Sequence, residues 1–103
     1  MVFISKQTLQ DLDEIYLGLY NWDKVQLSIE FLEMYIDDII KQCYELDKLS
    51  FHFKTTYSFH KRFGSKVHRY RRNNQTTWYI IYNVDNENNI FVTKIISNYT
   101  TSK

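Results

Sequence analysis

Thr77-Trp78-Tyr79-Ile80-Ile81-Tyr82-Asn83-Val84 constrains the fold more than any other stretch, being aromatic and β-branched almost throughout. Side chains of this kind suit a pleated, partly buried surface, so the run reads as a strand. Trp78, Ile80 and Tyr82 share one face and are expected to pack on helices. Asn73-Asn74 before it and Asp85-Asn86-Glu87-Asn88-Asn89 after it are turn chemistry. Those turns lead into two further strand patterns, over 66–72 and over 90–96. Three antiparallel strands in a meander follow.

The first half is helical by its spacing. After a short strand, Val2-Phe3-Ile4, Ser5 is placed to cap a helix carrying Leu9, Leu12, Ile15, Tyr16 and Leu19. Asp11, Asp13 and Glu14 are expected on its exposed side. Asn21-Trp22-Asp23 marks a break, and a second helix is expected from about Val25 to Leu46. Its seam is Leu32, Ile36, Ile39, Cys43 and Leu46, widened by Phe31, Tyr35 and Ile40. Residues 49–65 have no clear period and read as a loop with a helical turn. The expected fold is a single α+β domain over residues 1–103: a short N-terminal strand and a two-helix hairpin on one face of a mainly antiparallel, roughly four-stranded sheet.

Composition excludes several functions. Gly18 and Gly64 are the only glycines, so no Gly-rich phosphate loop can be built. Cys43 is alone and forms no internal bridge. His52, His60 and His68 fit no recognised metal-ligand spacing. No apolar run approaches the roughly 20 residues that cross a bilayer. The first residues lack the pattern of a secretion signal, so the expected location is the cytoplasm.

Charge is divided along the chain. Residues 1–50 carry four lysines against ten acids, a balance of −6, and residues 51–103 carry nine Lys/Arg against Asp85 and Glu87, a balance of +7. From Lys54 to Arg72 there are seven basic residues and no acid, interleaved with Phe59, Phe63 and Tyr70. Such a block suits a surface that meets phosphates or an acidic protein, or one that neutralises the acidic helices.

Order and motif together resemble the RelE/ParE superfamily of bacterial toxins from toxin–antitoxin pairs. Ile4-Ser5-Lys6 with Leu9, Asp11-Leu12 and Ile15 resembles that family's opening strand and its "S-x-x-A-x-x-D-L-x-x-I" helix. Trp78-Tyr79-Ile80-Ile81-Tyr82-Asn83-Val84-Asp85 resembles its "Y-R-I-I-Y-x-V-D" strand, and Ile90 to Ile96 its closing strand. The resemblance implies an antitoxin partner. It further implies either ribosome-dependent mRNA cleavage without metal or other cofactor, or non-catalytic inhibition of DNA gyrase; a decayed member would only bind its antitoxin.

Cleavage by 2′-hydroxyl attack needs a base, an acid and cations for the phosphorane charge. The candidate catalytic residues are His68, Arg69, Arg71, Tyr79 and Tyr99, with His60 as another source of an imidazole. Lys61, Arg62, Lys66, Arg72, Lys94 and Asn98 are candidates for nucleic-acid or antitoxin binding. Two departures bear on this. Tyr79 stands where the family commonly has Arg, and Asn98 and Tyr99 stand where many active members have Arg or His. The expected site is a cationic trough on the sheet face turned away from the helices.

Overall fold

The structure, a computed structural model, describes residues 1–21 and 27–98. Strand β1 (Val2–Ile4) leads into helix α1 (Lys6–Tyr20) and helix α2 (Ile29–Tyr44), which a single 3-10 turn, Leu46–Lys48, extends. A short helix α3 (Ser58–Lys61) precedes strands β2 (Lys66–Arg71), β3 (Thr77–Val84) and β4 (Ile90–Ser97). The sheet order is β1-β4-β3-β2, antiparallel except that β1 runs parallel to β4. The α+β class and its element order are those expected.

Local chemistry places the boundaries. Ser5 Oγ accepts from the Thr8 amide, and Ser28 Oγ accepts from the Phe31 amide, both at 3.1 Å. Each serine thereby satisfies one orphan donor of a helix N-terminus. The second helix therefore starts at Ile29, later than the Val25 expected from apolar spacing, because Ser28 caps it; residues 22–26, with the expected break, lie outside the described residues. In the first hairpin turn Asn73 Oδ1 accepts from the amides of Gln75 and Thr76, and in the second Asp85 Oδ1 accepts from those of Glu87 and Asn89. Asn88 takes φ 65°, a left-handed conformation that asparagine tolerates.

The core lies between the helices and one sheet face. Leu12 of α1 and Tyr35, Ile39 and Cys43 of α2 pack with Trp78, Ile80, Tyr82, Val92 and Ile95. Burying each large aliphatic chain contributes about 1.5–3 kcal/mol. Trp78 Nε1 donates to Tyr35 Oη at 2.9 Å, which lets an indole sit at the edge of an apolar layer. Burial pushes the Cys43 thiol up to about 12, so it packs as a small apolar group.

A second, smaller cluster covers the middle of the other face. Val67, Ile81 and Ile96 lie beneath Phe59, Phe63 and Tyr79. The stretch 49–65 wraps the β2 edge to deliver Phe59 and Phe63, with Thr55 bonded to the Ser65 carbonyl and Val67 to the Phe53 carbonyl. The trough expected across the whole face is thus narrowed to a strip along β2.

Asp11, expected at the surface of α1, is only 3% exposed. β1 pairs with β4 only from Ile90 to Val92, and beyond that, among the described residues, the β4 edge has no strand beside it. α1 supplies the missing acceptor: Asp11 Oδ2 takes the Ile95 amide at 3.1 Å, and Oδ1 takes Lys94 Nζ at 2.8 Å. At the same place Thr93 is the extra residue of a bulge opposite Ile81/Tyr82, and its hydroxyl donates to the Ile81 carbonyl. The bulge resets the alternation, so that Val92 and Ile95 both face the helices.

Candidate functional site

Strand alternation sorts the basic residues of β2. Arg69 and Arg71 pair with Tyr79 and Thr77 on the side away from the helices, and His68 and Tyr70 pair with Ile80 and Trp78 on the helix side. Both arginines are exposed. The Arg69 guanidinium carbon lies 6.0 Å from the centre of the Tyr79 ring, and Arg71 reaches back to the Asn73 carbonyl and Asn74 Oδ1 at 3.4 Å. Tyr79 is half-buried against His60, ring centres 4.8 Å apart, and against Tyr57 at 6.5 Å.

His60 is the unusual group here. Its ring is buried between Tyr57 and Tyr79, and among the described residues Nε2 has no hydrogen-bond partner. Burial, and then the Arg69 charge, hold its pKa below the ordinary value, so it stays neutral near pH 7. It sits where the sequence allowed a groove histidine, but under the tyrosines rather than open to a ligand.

His68 goes elsewhere. Its Nε2 lies 3.0 Å from Gln42 Oε1 on α2, and burial lowers its pKa. The structure does not bring it together with Tyr79. His52 Nδ1 meets Tyr82 Oη at 2.7 Å on the same helix side, and burial pushes the Tyr82 phenol up to about 12.

Several candidate binding residues are held inside the protein. Arg72 is ion-paired with Asp38, bonds to Tyr70 Oη at 3.1 Å, and lies 4.3 Å over the Tyr35 ring. Lys94 is committed to Asp11 and lies 5.4 Å over Phe63. Asn98 ties the sheet end, accepting from the Thr77 amide and donating to the Gln75 carbonyl. In each case a tertiary partner, invisible as spacing, takes the polar group. Tyr99 lies outside the described residues.

Lys54, Lys61, Arg62 and Arg69 border two depressions. One, of about 510 Å³, is lined by Phe53, Lys54, Thr56, Val67, His68 and Arg69. The other, of about 520 Å³, brings Lys54, Lys61 and Arg62 together beside Gly64 and Asn83. Lys66 is half-buried on β2, bridged to Lys54. Among the described residues no acid lines either depression. Phe53 and Lys54 join the site only because their stretch wraps the sheet edge; the one signal in sequence was Lys54's place at the head of the basic block.

Chemically, the strip offers exposed guanidinium groups that can hold phosphate or carboxylate, beside a phenol and exposed aromatic faces. A protonated imidazole is not part of it near neutral pH. No protein-family model, no curated protein and no solved structure matches this chain.

Proposed function

We propose that this chain is the growth-arresting toxin of a cytoplasmic toxin–antitoxin pair of the RelE/ParE type, and that it engages mRNA on the ribosome through the Arg69–Arg71 strip. The observation that carries this is the pair of exposed arginines on one strand face, with Tyr79 beside Arg69 and no acid in the adjoining depressions. In this reading Arg69 and Arg71 hold the phosphates flanking the cut, and the 2′-hydroxyl attacks the adjacent phosphorus and gives its proton to water. The P–O5′ bond breaks to leave a 2′,3′-cyclic phosphate, and the Tyr79 hydroxyl protonates the departing 5′-oxygen, with neutral His60 packed beneath it. The acidic antitoxin covers the same cations.

Arg71→Ala is expected to leave the melting temperature unchanged and to abolish both growth arrest and codon-phased cuts in a translating extract. Intact message in arrested cells overturns the cleavage reading. A second reading, a toxin that poisons gyrase by contact alone, is favoured by one observation: His68 and Arg72 give their polar groups to Gln42 and Asp38, so neither offers them on the Arg69–Arg71 face. Inhibited supercoiling with purified gyrase selects it, and normal supercoiling at saturating protein rejects it.

A further inference from the structure

The outer edge of β2 is only half covered. Val67 N–H reaches the Phe53 carbonyl on that edge, and Arg72 N–H reaches the Thr76 carbonyl on the β3 side. Antiparallel pairing alternates these directions residue by residue, so the N–H and C=O of Arg69 and Arg71 point outward with Val67. Among the described residues no backbone group meets them. The stretch 49–65 joins this edge at Phe53, opposite Val67, and runs antiparallel through Thr55 opposite Ser65, leaving the ladder on the Arg69 side of Val67 open. Phe53, 65% exposed, stands at the border of the open part.

We propose that this open edge at Arg69 and Arg71 accepts an extended acidic peptide as an added β-strand. The backbone groups recognise the peptide main chain, since an outward row of alternating donors and acceptors is complemented by another strand. A phosphodiester chain presents acceptors and would leave the outward carbonyls of Arg69 and Arg71 unmet. Charge then selects the peptide. Residues placed opposite Arg69 and Arg71 lie two apart on the same face as the guanidinium groups, so an acid-x-acid pattern meets both. A second copy of this chain is disfavoured by the same rule, because edge-to-edge pairing would set arginine against arginine. The arginines that guard the edge against self-pairing thus make it selective for carboxylates. The proposal deepens the antitoxin part of the reading above and rests on it only for the source of such a peptide.

The test uses a synthetic nonapeptide alternating Glu and Val, titrated into the full chain with amide exchange read by NMR. Slowed exchange at the Arg69 and Arg71 amides is expected. Arg69→Pro removes one outward N–H at an edge position where proline is tolerated, and should weaken binding by about tenfold or more. Should that variant not fold, the same peptide N-methylated at alternate residues, offered to the unaltered chain, should show the same loss. Equal binding by the methylated peptide overturns the proposal in favour of simple charge attraction. Protection of these amides by oligouridylate but not by the peptide, or by raising the concentration of the protein alone, overturns it in favour of RNA or of a second copy. Peptide binding by a chain that does not arrest growth would uphold this proposal and end the toxin reading; arrest without peptide binding would do the reverse.

Discussion

A Cβ at Gly64 would lie 2.9 Å from Ile81 Cγ2, 3.0 Å from the Tyr82 carbonyl oxygen and 3.2 Å from Thr93 Oγ1. All three atoms belong to strand residues: the Tyr82 oxygen is backbone, and the Ile81 and Thr93 atoms sit on short β-branched side chains that cannot swing aside as the tip of a long side chain would. The close approach is what seats Phe63 on the second cluster and turns the chain into β2. Gly64→Ala should therefore cost about 1–3 kcal/mol, read as a lowered urea midpoint at unchanged m-value. Residue types were legible here, but their partners were not. Period-2 alternation along β2 separates Arg69 and Arg71 from His68, whereas nothing in the spacing of Arg72 or Lys94 announces Asp38 or Asp11. An ion pair between residues 34 or 83 positions apart is made by the fold alone.

At the scale of elements, the join between α1 and β4 is the least expected feature. A three-residue strand covers the start of β4, and one carboxylate of α1 finishes the edge by taking the Ile95 amide and the Lys94 ammonium together. Removing it leaves a buried N–H and a mostly buried cation unpartnered. Asp11→Ala should cost about 2–4 kcal/mol in chemical unfolding, and Lys94→Met less, because Asp11 keeps its bonds to Ile95 and Gln7. Helix spacing expected this aspartate in solvent because it registers which residues are apolar, not where a neighbouring strand runs short. The Ser5 cap, both hairpin turns and the β3 strand were legible, since each is decided by contacts within a few residues; the Ser28 cap was not, because apolar spacing sets the helix start at about Val25.

Taken as a whole, the molecule is a sheet with a thick helical layer on one side and a thin, incomplete cover on the other. His68 belongs to the first layer and His60 to the second, and both are held below the ordinary histidine pKa of 6.5, mainly by burial. The sign follows from linkage: the unfolded chain binds these protons first, so stability is complete above about pH 6.5 and falls as pH drops toward the folded-state values. Urea midpoints should fall between pH 7 and pH 5, and His60→Phe should flatten that fall. An unchanged slope would mean that other groups carry it.

What the sequence determined by itself is the α+β class, the order of elements and the separation of charge between halves. Those rest on periodicity, capping and composition, all of which are short-range properties of the chain. Only tertiary structure decided which cations remain available, because that depends on acids and rings supplied from distant segments. It also decided that the stretch over 49–65 wraps the β2 edge, burying His60 beneath Tyr79 while leaving the outward backbone groups of Arg69 and Arg71 unmet among the described residues. A segment without period carries no local signal, and its course follows from the apolar sheet face it has to cover.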